Sequence, residues 1–128
     1  MKRRLSVSAL LMTLCILVAA TALKAQAADV EDGKKQYMQF CSTCHGQSGK
    51  GDGPGAAALN PKPRDHTDKA YMSQLSADHV FKVIKEGGAS VGKSPLMPPW
   101  GASLKDDQIK DVMAYIQQTL CQCQFKGQ

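Results

Sequence analysis

The sequence predicts an all-α domain of about four helices wrapped around one covalently attached cofactor, and three observations predict it. Apolar residues recur at three and four spacing in segments separated by Gly- and Pro-rich stretches. Residues 41–45 read Cys-Ser-Thr-Cys-His, the C-x-x-C-H pattern of covalent c-type haem attachment. The chain after residue 27 is 101 residues long, marginal for a core built from side chains alone, and a buried haem would supply the missing apolar area.

The N-terminus sets the compartment. Lys2-Arg3-Arg4 is a basic start, Leu5 to Ala22 is largely apolar, and Ala25-Gln26-Ala27 is an A-x-A cleavage pattern, so residues 1–27 read as a signal peptide and the mature domain as residues 28–128. An uncleaved segment would instead act as a membrane anchor, because the apolar run approaches spanning length. Cys15 follows Leu14, where a lipid-attachment signal wants a small residue, and it leaves with the signal. Cleavage also removes Lys2, Arg3, Arg4 and Lys24 and no acidic residue, so the formal charge of +5 falls to +1. No case for nucleic acid or an anionic membrane surface survives that subtraction.

Four helical segments follow in order. The first runs from about Val30 to Thr43, with Gly33, Tyr37, Phe40 and Cys41 on one face. Residues 46–66 hold too many Gly and Pro for regular structure and read as a long functional loop. A short helix is expected over Thr67 to Leu75. The next opens after Ser76 as N-cap, turns Val80, Phe81, Val83 and Ile84 inward and stops at Gly87-Gly88. Pro95, Pro98 and Pro99 exclude a helix from residues 88–102. The last helix is expected after Ser103, with Asp106 in a capping-box arrangement, and repeats Ile109, Val112, Met113, Ile116 and Leu120 along one face.

The Cys41 to His45 motif has a geometric reason. On a helix, Cys44 lies about 60° to one side of Cys41 and His45 about 40° to the other. Two thiols in that sector can add across the vinyl groups of a haem while the imidazole reaches the iron. A thioredoxin-like pair would follow a strand, whereas Gly33 to Phe40 reads as helix. A zinc site lacks further ligands, since His66, His79, Cys121 and Cys123 fall in no zinc pattern.

An iron held by His45 needs a second axial ligand. Met38 sits on the proximal helix three residues before Cys41 and is sterically excluded, Met113 repeats in phase with an apolar face, and Met72 reads as core or surface. His66 reads as a loop residue and His79 as an exposed residue near a helix start. Met97 lies in a proline-braced loop 52 residues after His45, and that bracing limits the conformations lost on binding iron. Met97 is the assigned distal ligand.

With Gly33 and Tyr37 ahead of the C-x-x-C-H, Gly-Asp-Gly-Pro at 51–54, Met97-Pro98-Pro99-Trp100, and Val112 and Tyr115 on the last helix, the chain resembles class I c-type cytochromes of the small bacterial single-haem kind. The resemblance covers essentially the whole of residues 28–128. It implies a cytochrome c-like fold and one covalent haem c. It also implies that the first and last helices cross at Gly33, Tyr37, Val112 and Tyr115, and that a proline carbonyl accepts from the proximal imidazole. Pro61 is the candidate for that carbonyl, with Pro63 second. Trp100 has two readings, packing at the haem edge or covering the last helix's apolar face. The Cys121-Gln122-Cys123 tail, residues 119–128, departs from the family. A local disulfide is favoured there, against intermolecular linkage or incidental thiols at a frayed helix end.

Two protein ligands would leave the iron no open position, which describes an electron carrier rather than an enzyme. The expected protein is periplasmic and docks transiently at its haem edge to redox partner proteins. Its alternatives are a haem subunit of a multi-subunit oxidoreductase, or a haem reactive toward gas or peroxide with a displaceable Met97.

Overall fold

The computed structural model describes residues 27–57 and 59–127, and among them there are helices and turns and no strand. Apart from Ala27, the expected signal segment lies outside the described residues, as does Cys15.

The first helix, α1, spans Val30–Phe40 and is capped by Asp29, whose carboxylate accepts from the backbone N–H of Glu31 at 2.9 Å and of Asp32 at 3.1 Å. After a distortion at Cys41, a single turn α2 covers Ser42–His45, with His45 N–H bonded to the Cys41 carbonyl at 2.9 Å. Helical chain therefore continues past the expected end at Thr43 and stops at Gly46, where φ is 79°. The short helix α3 is Lys69–Met72, narrower than the expected 67–75. Asp65 explains the late start, because its carboxylate takes both the backbone N–H and the hydroxyl of Thr67 at 2.7 Å and holds a turn there. Helix α4, Ala77–Glu86, opens on Ser76 as its sequence predicts, with Ser76 Oγ accepting from His79 N–H at 3.1 Å, and ends at Gly87.

The last helix, α5, spans Asp106–Tyr115, and its start corrects the expected Ser103 cap. Ser103 and Leu104 both donate backbone N–H bonds to the Trp100 carbonyl, at 2.9 and 2.8 Å, which closes a turn before any helix begins. Lys105 stands at the cap instead, its N–H donating to Gln108 Oε1 at 3.0 Å, and Asp106 and Asp107 favour the positive end of the helix. Beyond Tyr115 the helix widens into a π turn over Ile116–Leu120.

Helices α1 and α5 pack at their closest where Gly33 meets the backbone of α5. A Cβ on Gly33 would overlap the Asp111 carbonyl and lie 3.1 Å from Val112 N, so only glycine permits this approach. Tyr37 and Val112 are fully buried beside it, and the Tyr37 and Tyr115 rings sit 5.3 Å apart. Val80 and Ile84 of α4 and Ile109 and Met113 of α5 complete the core.

The tail beyond α5 is ordered by packing, which overturns the frayed-end reading. Cys121 and Cys123 are joined by a disulfide, Phe125 is buried to 1%, and Lys126 N–H bonds the Leu75 carbonyl at 2.7 Å. Residues 121–127 thus tie the end of the chain to the connection between α3 and α4. Phe125 is a lone aromatic in a polar tail, so no periodicity announces it. Phe125→Ala is expected to cost about 3–5 kcal/mol, the range for emptying a buried aromatic site, read as a lowered urea midpoint.

Candidate haem site

One cavity of about 300 Å³ gathers the residues singled out by sequence. Cys41, Cys44 and His45 line it from the end of α1 and from α2, and Met97 lines it from the loop before α5. Pro61 and Trp100 are on its wall too, and Val80, Ile84, Val112 and Ile116 make much of the remainder apolar. Met72 is buried at 1% and faces the cavity, while Met113 is a core residue.

Each donor is held by its own local structure. His45 is 9% exposed, and its Nδ1 lies 2.9 Å from the backbone carbonyl of Arg64. A carbonyl can only accept, so Nδ1 carries the proton and the lone pair is on Nε2, the nitrogen left for a metal. This corrects the expectation that Pro61, or Pro63, supplies that carbonyl. The chain reaches the imidazole one residue after Pro63, because the Pro63 carbonyl is turned toward Gly51, where a side chain would collide with it. Gly51 in turn has φ 74° and donates its N–H to the His45 carbonyl at 2.8 Å, which folds the loop back on the motif.

Met97 is fixed by backbone bonds made around it. Its carbonyl accepts from Gly88 N–H at 3.0 Å, and Trp100 and Gly101 donate to the carbonyls of Ile84 and Lys85, each at 3.0 Å, at the end of α4. The proline loop is therefore pinned whether or not the thioether has a partner. The Trp100 ring packs 5.2 Å from that of Phe40, and both line the cavity.

Burial sets the protonation states. Desolvation lowers the His45 pKa, with the Arg64 hydrogen bond opposing it, and so favours the neutral imidazole that a metal would need. Burial, then the neighbouring Cys44, pushes the Cys41 thiol up to about 12. Neither Cys41 nor Cys44 is joined to another cysteine, which leaves both sulfurs for a ligand. Burial also raises the Tyr37 phenol and holds it protonated.

Two histidines read as bystanders are at the site. His79 is half-buried and lines the cavity. His66 lies against His45 itself, ring centroids 4.2 Å apart and planes within 13°. Spacing carries no sign of this contact, since 20 residues of mostly irregular loop separate the two.

Residues 30–120 match the family model described as Cytochrome c. The chain belongs to the cytochrome c family. Among curated relatives, this cytochrome is 30% identical over 116 residues to cytochrome c6 of Synechococcus sp., covering 91% of each chain. It is also 30% identical over 89 residues to the Cbb3-type cytochrome c oxidase subunit FixP of Bradyrhizobium diazoefficiens; the match covers 69% of this chain but only 27% of that longer subunit. Among solved structures, the KustC0563 c-type cytochrome is similar with a TM-score of 0.54 and 27% identity, over 68% of this chain and 95% of that one. The fold is that of small class I c-type cytochromes, and the family carries covalently bound haem c. The residues lining the cavity fit that group: two thiols beside a neutral imidazole with Nε2 free, a thioether from a separate loop, and apolar walls.

Proposed function

We propose that this cytochrome is an exported electron carrier. In this reading residues 1–27 direct export to the periplasm and are removed, and residues 28–128 form one domain with one haem. Cys41 and Cys44 hold the haem through thioether bonds, and His45 and Met97 are its axial ligands. Pro61 and Trp100 wall the group in. The haem supplies a one-electron iron couple. The residues do the rest. His45 would present Nε2 to the group because Arg64 occupies Nδ1, the pinned loop would bring the Met97 thioether to it from a separate segment, and the apolar residues of the cavity would limit its contact with water.

The observation that carries the reading is that Cys41, Cys44, His45 and Met97 reach one cavity from segments 52 residues apart. Partners are redox proteins docking at the cavity mouth. Leu96, beside the proposed distal ligand, lines the cavity and is a large hydrophobic side chain 58% exposed to solvent, and Pro95, Pro98 and Pro99 around it are exposed as well. A small apolar contact of this kind suits brief encounters. Intact mass of periplasmic protein tests the assignment. The expected value is residues 28–128 plus one haem, less two hydrogens for the Cys121–Cys123 bridge. In the Cys41→Ala, Cys44→Ala double variant the haem is expected to extract into acidified organic solvent. Haem absent from the parent, or still attached in the variant, defeats the assignment.

A second reading, a subunit resident in a larger redox complex, is favoured by the similarity to FixP, which is named as an oxidase subunit. Gel filtration of native periplasmic extract separates the two. A free carrier elutes as a small monomer, and a resident subunit elutes with its complex.

A further inference from the structure

His66 has no role in the assignment above, yet among the described residues it makes closer aromatic contact with His45 than any other ring. The two imidazoles are stacked nearly parallel, 4.2 Å between centroids and 13° between planes. His66 is itself held at three points. Its backbone N–H bonds the Gly49 carbonyl at 2.6 Å, its Nδ1 lies 3.1 Å from the Tyr37 hydroxyl, and its ring edge packs on the Tyr37 ring at 5.8 Å. Tyr37 cannot yield, being fully buried between His66 and Tyr115.

We propose that His66 is a positioning residue for His45, setting the plane of the proximal imidazole by stacking against its face. The inference rests on His45 being the proximal ligand. The Arg64 carbonyl and the His66 ring come from one short segment and impose different constraints. The hydrogen bond to Nδ1 directs Nε2, but one bond leaves the ring able to rock about its Cβ–Cγ axis. A flat surface against the ring face removes that freedom. In the haem-loaded protein the azimuth so chosen would decide which iron d orbital mixes with the imidazole π system, and hence how the d levels of ferric iron would be ordered. Tyr37 acts one step further out, since its hydroxyl locks the His66 ring in place.

Proton NMR of the ferric holoprotein reads this azimuth in the spread and order of the haem-methyl resonances. His66→Ala is expected to retain covalent haem and a low-spin spectrum while altering the order or spread of those resonances. His66→Phe, which keeps a flat ring and loses both nitrogens, is expected to return the pattern toward that of the parent. Tyr37→Phe removes one hydroxyl and is expected to shift the pattern in the same direction as His66→Ala, by less. A His66→Ala pattern identical to the parent overturns the proposal, and so does a His66→Phe pattern as altered as that of His66→Ala. If His66→Ala does not mature, an unchanged Tyr37→Phe pattern overturns it. Failure of the ligand assignment is distinguishable, because the parent itself would then lack a histidine-ligated low-spin spectrum.

Discussion

Replacing Met97 with alanine is expected to abolish the sulfur-to-iron charge-transfer absorption of the ferric protein and to lower the reduction potential by on the order of a few tenths of a volt, within the ~0.8 V range over which axial ligands move haem potentials. A thioether favours ferrous over ferric iron, so its loss stabilises the oxidised state. The vacated position is then expected to bind carbon monoxide in the ferrous form, which the parent resists. The variant should still fold. The loop is anchored by Met97 O to Gly88, Trp100 N to Ile84 and Gly101 N to Lys85, all backbone bonds that alanine leaves in place. Potentiometric titration with optical detection checks the prediction. An unchanged absorption and potential would place the distal ligand elsewhere, with Met72, His66 and His79 among the other cavity-lining donors to examine next.

Gly33→Ala is expected to destabilise the protein by about 3 kcal/mol or more, lowering Tm by roughly 10–20 °C for a domain of this size. Helix propensity acts the other way, favouring alanine by at most ~1 kcal/mol. Geometry wins because the obstacle is backbone. The new methyl would overlap the Asp111 carbonyl, and no rotamer change can move a helix carbonyl aside. Helices α1 and α5 must separate, loosening Tyr37 and Val112 and with them the footing of His66. Thermal melts of holoprotein followed in the far ultraviolet and in the haem absorption band check this. A Tm within a few degrees of the parent would mean that the crossing has slack.

The helices legible in the sequence are those whose signals are local. Ser76 announces α4 because a short polar side chain before an apolar repeat satisfies exposed N–H groups wherever it occurs. Ser103 carries the same signal before α5, but the chain there is already committed to a turn on the Trp100 carbonyl, a contact that follows from packing the proline loop against α4. The burial of Phe125 was illegible for a related reason. The next residue, Lys126, bonds the Leu75 carbonyl in the α3–α4 connection some 50 residues away in the chain, and no window along the sequence contains both.

By itself the sequence determined the chemistry on offer: two thiols and an imidazole within five residues, and a braced thioether far downstream. Those are properties of residue type and spacing, and they survive any arrangement of the surrounding chain. The tertiary structure alone decided which carbonyl meets His45, that Arg64 rather than Pro61 provides it, and that His66 lies flat on the same ring. Both outcomes depend on how a 20-residue Gly- and Pro-rich loop closes on itself through Gly49 and Gly51. Loop closure is governed by long-range bonds between backbone groups that every residue carries, so residue identity encodes it only weakly.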